Sequence, residues 1–222
     1  MEEPISLQPM RRSTLGEDVY ETLKASVLEH TLAPGMRLNI DALARDLAVS
    51  PTPIREALAR LESDGLVRKR ALVGYTVSPL LTRAEFADMF DLRLLLECAA
   101  ARWAAERATA EQRAELCAEA DRTIDPAADE RQWHSAFTAL DARLHDLVAQ
   151  ASGNLLLRDG IARLHAHLHL HRRYFPYEHT GPTNEEHRRI AATIRDGGPD
   201  AAEQAMREHL TRARERHLAA FD

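Results

Sequence analysis

The hydrophobic residues between positions 38 and 66 recur three and four residues apart in two consecutive segments, which is the spacing of amphipathic helices. Ser50 suits the N-cap of the second segment, and Pro51 suits its first turn because no N–H group is needed there. Gly65 is expected to end this helix. The pattern therefore predicts two short helices joined by a tight turn. The apolar positions that carry it are Leu38, Leu43, Leu47, Ile54, Leu58 and Leu61.

Two short apolar runs follow the second helix, at residues 66–67 and 75–77, on either side of Gly74. Short runs separated by a glycine are typical of a small hairpin. Two helices and a hairpin form the winged helix-turn-helix arrangement, in which the second helix enters the major groove of DNA. The helical spacing fits a three-helix bundle without a nucleic-acid role equally well, so the surface residues decide between the two.

The polar residues of the second helix and the hairpin favour DNA binding. Thr52 and Arg55 lie in the first turns of the helix, where side chains and free N–H groups reach bases and phosphates. Residues 51–79 contain five Lys and Arg against three Asp and Glu, so the prediction depends on placement more than on bulk charge. The predicted DNA contacts are Ser50, Thr52, Arg55, Arg60, Arg68, Arg70 and Gly74.

The second half of the chain shows helical patterns and no strand-like alternation. Thr82 and Glu85 form a capping box that begins the first of these helices. We therefore predict a mainly α protein, with a winged helix-turn-helix domain and a two-stranded wing over residues 1–79 and an all-helical bundle over residues 80–222. The six predicted helices of the bundle cover about residues 82–106, 109–125, 129–150, 155–174, 183–197 and 199 to the C-terminus.

Composition is that of an ordinary globular protein. The hydrophobic fraction is 45% and the charged fraction is 29%. No apolar run reaches membrane-spanning length, and the acidic N-terminus lacks the apolar core of a signal peptide. These features predict a cytoplasmic protein without a membrane partner, in which Cys98 and Cys117 are buried thiols. The net charge of −6 would repel DNA if it were spread evenly, but most of the excess acid lies after residue 79.

Histidine supplies the candidate metal chemistry of the helical half. Asp141 and His145 are four residues apart on one predicted helix, so their side chains share a face. His187 and His209 lie on the fifth and sixth predicted helices. Three imidazoles with one carboxylate are a suitable ligand set for zinc, nickel or manganese. The chain has 11 His residues, however, so Asp–His pairs at this spacing are also expected by chance as ordinary surface or core residues.

The segment PTPIREALARLESDGLV, followed by GYTV, resembles the N-terminal domain of the GntR family of bacterial repressors. This resemblance implies a homodimer that binds a near-palindromic DNA operator. Family members usually carry an Arg that contacts DNA at the position of Pro51, so the operator sequence stays open. The family motif is matched at Val49, Ser50, Thr52, Pro53, Arg55, Glu56, Ala57 and Leu58.

The helical half resembles the FCD ligand-binding domain of the FadR-type branch of this family. The resemblance implies a divalent metal ion that faces a cavity of the bundle. It also implies that Arg93 pairs with a carboxylate of the effector, a role suited to its planar donors. The alternative for Arg93 is an ion pair with Glu97, one helical turn away. The implied metal ligands are Asp141, His145, His187 and His209, and the surrounding matches are Phe137, Glu186, Arg207 and Leu210.

Two classes of function fit these residues. In the first, a cytoplasmic homodimer represses transcription, and a small carboxylate bound beside the metal changes the arrangement of its DNA-binding domains. In the second, the cluster of Asp and His is the centre of a metal-dependent hydrolase or other metalloenzyme with an appended helix-turn-helix. No convincing general base or nucleophile accompanies the four ligands, which favours the regulator. Direct sensing of the metal is a third alternative.

The tract LHAHLHLHRRYF, residues 164–175, places four histidines at alternate positions. His165 and His169 share one helical face, and His167 and His171 share another, so either pair is spaced to chelate a metal. We expect these residues to line or border the cavity and not to be the main ligands.

Overall fold

The computed structural model describes residues 15–124, 130–173 and 179–221, and these residues are mainly helical. The predicted pair of helices and the predicted hairpin are both present, and one further helix precedes them. This order of elements is that of a winged helix-turn-helix. The N-terminal elements are α1 (Leu15–Leu28), β1 (Arg37–Leu38), α2 (Ile40–Asp46), α3 (Pro51–Ser63), β2 (Val67–Arg70) and β3 (Gly74–Val77).

The wing forms a three-stranded antiparallel sheet in the order β1-β3-β2, where two strands were predicted. The added strand is β1, in which Leu38 pairs with Tyr75 of β3. Leu38 therefore belongs to the sheet and not to the first predicted helix. That helix begins at Ile40, because the side chain of Asn39 accepts a hydrogen bond from the N–H of Ala42 and caps the helix there.

Helix α3 has the boundaries that its flanking residues predict. Ser50 is the N-cap, and Pro51 is the first helical residue. Gly65 follows the helix with a φ of +73°, a left-handed conformation that glycine adopts without strain. Ile54 and Leu58 are fully buried in the core that joins α3 to α1 and the sheet.

The second part of the chain contains seven helices in its described residues, where six were predicted. Helix α4 begins at the predicted capping box, in which Thr82 and Glu85 each accept a hydrogen bond from the other's N–H group. None of the helices in the described ranges combines the length and apolarity needed to span a membrane. The helices are α4 (Arg83–Arg107), α5 (Ala110–Ala120), α6 (Glu130–Ala151), α7 (Leu155–Arg163), α8 (Ala166–Arg173), α9 (Thr180–Arg195) and α10 (Pro199–Leu218), followed by a 3-10 turn at Ala219–Phe221.

The additional helix arises because the predicted fourth helix is divided into α7 and α8. His165, between them, has a φ of +44°, a left-handed conformation that interrupts a right-handed helix. Helix α9 also begins before the predicted cap at Thr183, whose hydroxyl donates to the carbonyl of His179 one turn earlier. The predicted helix ends at residues 125 and 174 lie outside the described residues.

Helix α4 lies at the centre of the bundle and packs against α6, α9 and α10. Its small residues Ala100, Ala101 and Ala104 are almost completely buried there, so the neighbouring backbones approach closely. Ile190 of α9 and Leu210 of α10, both fully buried, belong to the same core. This packing fixes the faces of α6, α9 and α10 relative to one another.

Candidate functional sites

The N-terminal part presents an exposed polar face that is formed by the start of α3 and by the wing. A groove between them is lined by Arg37, Arg55 and Lys69, so cations of three elements share one face. Arg37 and Lys69 extend the predicted set, and Arg37 lies on the strand that the sequence pattern did not predict. Clustered cations of this kind suit phosphate binding. All residues of the predicted set are exposed: Ser50, Thr52, Arg55, Arg60, Arg68, Arg70 and Gly74.

Arg60, another predicted DNA contact, has partners within its own domain. Its guanidinium donates to the carboxylate of Glu17 on α1 at 2.6 Å and lies 3.8 Å from the centre of the Tyr20 ring. The hydroxyl of Tyr20 donates in turn to Asp64 at 2.6 Å. Arg60 therefore joins α1 to α3, and its role as a DNA contact stays a prediction without support from this geometry.

The four predicted metal ligands come together in the bundle, although they lie on three helices. Asp141 and His145 are on α6, His187 is on α9 and His209 is on α10, and all four side chains are buried. Asp141 Oδ1 lies 3.2 Å from His187 Nε2 and 3.9 Å from His145 Nε2. One ligand atom from each of the three His residues lies within 4.8 Å of the others. A single ion is therefore within reach of the three histidines, and Asp141 belongs to a second such group with His145 and His167.

In two of these rings, the Nδ1 atom, which points away from the cluster, forms a hydrogen bond with a buried carboxylate. His145 Nδ1 forms a short hydrogen bond with Glu97, and His209 Nδ1 donates to Glu186 at 2.9 Å. Because a carboxylate only accepts, each Nδ1 carries the proton and each Nε2 presents a lone pair. Among the described residues, no hydrogen-bond partner meets the buried Nε2 atom of His145, whereas His187 Nε2 has only Asp141 Oδ1 close by, at 3.2 Å. Buried polar atoms of this kind are rare without a partner, and carboxylate–His pairs commonly surround metals, so this donor set fits a divalent cation.

The surroundings of His145, His209 and Asp141 favour the protonation states in which these side chains bind a cation. Burial lowers the pKa of His145 to about 4 and that of His209 to about 3, in spite of the carboxylate beside each ring. Burial raises the pKa of Asp141, but His167 and the other neighbouring imidazoles outweigh this effect and hold that pKa well below its usual range. Neutral imidazoles and an ionised carboxylate are the forms of these side chains that bind metal.

Two histidines of α8 face the same carboxylate from the other side. His167 Nδ1 donates to Asp141 Oδ2 at 2.7 Å, and His171 Nε2 lies 3.3 Å from that oxygen. His171 Nδ1 is also within hydrogen-bond distance of the Thr138 hydroxyl, at 2.8 Å. The sequence pattern placed His167 and His171 on one helical face, but it carried no sign that this face lies against Asp141.

A cavity of about 220 Å³ lies beside the cluster, between α4, α6, α7 and α8. Its walls include Glu97, His145, His165 and His167, and the remainder is mainly apolar. Apolar walls with a few polar groups are typical of a small-molecule site. The volume equals that of roughly seven water molecules in the liquid and suits a compound of a few carbon atoms.

Arg93, the predicted partner of an effector carboxylate, is engaged with Glu97. Its Nε donates to Glu97 at 2.6 Å, and the two residues are only 1% and 3% exposed. The same carboxylate holds His145 Nδ1. Arg93 does not line the cavity described above, and two of its nitrogens are engaged by Glu97, so the effector role of Arg93 stays a prediction.

Both parts of the chain match known protein families. Residues 15–77 match the bacterial regulatory proteins of the gntR family, and residues 88–212, more than half of the chain, match the FCD domain. The chain belongs to the GntR family. The resemblance seen in the sequence motifs is thereby confirmed, as is a mainly helical fold with a winged helix-turn-helix.

Relatives of this GntR-family regulator match it along most of their length. The HTH-type transcriptional repressor RspR of Escherichia coli is 29% identical over 201 residues, which cover 88% of this chain and 86% of that protein. The HTH-type transcriptional repressor NanR of Salmonella newport is 30% identical over 225 residues, which cover 91% and 85%. The solved structure of Escherichia coli McbR/YncC has the same fold, with a TM-score of 0.72 at 22% identity over 94% of this chain and 99% of that one. The curated relatives are transcriptional regulators, so the chain is a regulator and not a metalloenzyme.

Proposed function

We propose that this regulator is a repressor that binds a near-palindromic operator as a homodimer and responds to a small carboxylate. RspR and NanR are both named as repressors, which supports the direction of control. The groove lined by Arg37, Arg55 and Lys69 supports binding to duplex DNA. A two-fold symmetric dimer would present its two recognition helices to two inverted half-sites, which is why a near-palindromic operator is expected.

The buried histidine cluster beside a cavity is the observation that carries the ligand-binding half of the proposal. Asp141, His145, His187 and His209 would hold a divalent ion such as zinc, nickel or manganese. When bound, the ion would supply positive charge at the cavity wall, where an anionic ligand binds. Glu97 and Glu186 would keep Nε2 of His145 and of His209 directed toward the ion.

The cavity supports a small carboxylate as the effector. His145 lines its wall, so a ligand in the cavity lies directly beside the cluster. The ligand would act by stabilising one arrangement of the two DNA-binding domains over another, which changes the affinity for the operator. Arg93 would take part through Glu97, which lines the cavity and which it holds in place, or directly in a state in which the two side chains rearrange.

Elemental analysis of protein purified without chelators or metal-affinity resin tests the metal site. We expect about one divalent ion per chain, and we expect His187→Ala and His209→Ala to lose most of it, since each removes one of only four protein ligands. His169→Asn, on α8 with its ring near Gly65, is the matched histidine control and should keep the ion. A wild-type protein that carries no ion, and that zinc, nickel and manganese do not stabilise, would contradict the metal site.

The DNA and effector roles are tested together with an operator selected from random duplexes. A carboxylate that raises the melting temperature of the wild type should also change its affinity for this operator. The His187→Ala protein should show neither effect. If the ion alone changes the operator affinity and no carboxylate does, the ion is the signal and the carboxylate proposal is wrong. Failure to select any duplex would contradict the DNA-binding role.

A further inference from the structure

Helix α8 contacts the histidine cluster with one face. His167 Nδ1 donates to Asp141 Oδ2 at 2.7 Å, and His171 Nε2 lies 3.3 Å from the same oxygen. The other oxygen of this carboxylate, Oδ1, faces His187 and His145. Asp141 is therefore shared: one oxygen points to the candidate ligands on α6 and α9, and the other is held by α8.

The same helix contacts the DNA-binding domain with another face. Leu168 packs against the hydrophobic core that contains α1 and α3. The backbone carbonyl of Arg172 accepts a hydrogen bond from His30 Nε2, just after α1, at 2.5 Å. The guanidinium of Arg172, almost completely buried, donates to the carbonyl of Ser78 at 2.8 Å, between β3 and α4.

The inward and outward contacts alternate along the helix. His167 and His171 face the cluster, while Leu168 and Arg172, the next residue in each case, are anchored to the DNA-binding domain. A helix of eight residues is only about 12 Å long, and its backbone hydrogen bonds hold its faces in a fixed relation to one another. A shift of the inward face therefore displaces the outward face by a similar amount.

We propose that His167 and His171 are positioning residues for Asp141, through which the occupancy of the metal site sets the position of α8 against the DNA-binding domain. This inference rests on the proposed function, because it requires a divalent ion at Asp141. A group that hydrogen-bonds the outer atom of a metal ligand fixes the orientation of that ligand, and its loss commonly weakens metal binding 10–100-fold. By linkage, an ion that prefers this orientation also stabilises the α8 contacts that accompany it.

The first experiment measures the zinc affinity of the full-length protein by competition with a chromophoric chelator. His167→Ala should bind zinc about 10–100-fold more weakly than the wild type. His167→Asn should recover most of the affinity, because its amide N–H occupies nearly the position of the imidazole Nδ1–H group. The matched control His169→Asn, on the same helix, should bind zinc within about twofold of the wild type.

The second experiment follows hydrogen–deuterium exchange with and without saturating zinc. In the wild type, zinc should slow exchange in α6, α9 and α10 and also in α8 and at the end of α1 around His30. In zinc-saturated His167→Ala, protection of α6, α9 and α10 should remain, while protection of α8 and the end of α1 is lost. The Asn variant should restore it.

The outcomes separate this inference from the proposed function. A wild type that binds none of zinc, nickel and manganese overturns both this inference and the metal site of the proposed function. A wild type that binds zinc normally, with His167→Ala equal in affinity to His169→Asn, overturns only the positioning role. Zinc-dependent protection that stops at α6, α9 and α10 in the wild type overturns the coupling through α8.

Discussion

The buried ion pair of Arg93 and Glu97 allows a quantitative prediction of the free energy of unfolding. Arg93 donates to Glu97 at 2.6 Å, and both residues are almost completely excluded from solvent. The Arg93→Met substitution keeps most of the side-chain volume and removes the positive charge. It leaves the carboxylate of Glu97 buried, with His145 Nδ1 as its remaining hydrogen-bond donor among the contacts described.

Removing one partner of a buried ion pair costs about 3–5 kcal/mol, because the remaining charge is neither hydrated nor neutralised. We therefore expect Arg93→Met to lower the free energy of unfolding by that amount. For a chain of this length, the change corresponds to a decrease in Tm of roughly 6–20 °C, at about 2–4 °C per kcal/mol. The Glu97→Gln substitution should cost a similar amount, since it leaves the guanidinium uncompensated.

The double variant Arg93→Met with Glu97→Gln contains neither charge, and its Gln amide oxygen still accepts from His145. It should be far more stable than the sum of the two single losses implies, with a coupling energy of at least about 2 kcal/mol. The four proteins are compared by urea unfolding followed by circular dichroism. The control is the exposed pair of Arg207 and Glu203, whose side chains are 47% and 32% exposed, in which Arg207→Met should cost at most about 0.5 kcal/mol.

Two results would refute this reasoning. A loss of less than about 1 kcal/mol in Arg93→Met would show that the carboxylate of Glu97 is stable without its partner. Strictly additive losses in the double variant would show that the two side chains do not interact.

Three further expectations concern the DNA-binding domain. Arg55→Ala should weaken specific operator binding by about 1–3 kcal/mol without lowering the Tm, as measured by fluorescence anisotropy at fixed salt; unchanged affinity would remove Arg55 from the interface. Pro51→Arg should tighten DNA binding and steepen its salt dependence by about one unit, and an unaltered slope would argue against a new phosphate contact. Gly65→Ala should lower stability by about 1–2 kcal/mol in a thermal melt, because φ is +73° and the added Cβ would lie 3.1 Å from His169 Nε2.

Local chemistry in the sequence was enough to predict most of the elements. The cap at Ser50 and Pro51, the left-handed residue Gly65 and the capping box at Thr82 each act within one helical turn, so their effect does not depend on the rest of the fold. The break at His165 was missed, because its left-handed conformation has no signal such as Gly or Pro. The strand at Leu38 was missed because its pairing partner lies far along the chain.

For the candidate metal site too, the sequence predicted some features and only the tertiary structure decided others. The spacing of Asp141 and His145 placed them on one face of one helix, and the resemblance to the FCD domain supplied the residues of the other two helices. That His167 faces Asp141, that Arg93 is buried against Glu97 and that Arg60 pairs within its own domain were decided only by tertiary packing. Periodicity determines which residues share a helical face, but the partner of that face depends on how helices distant in sequence pack around a common core.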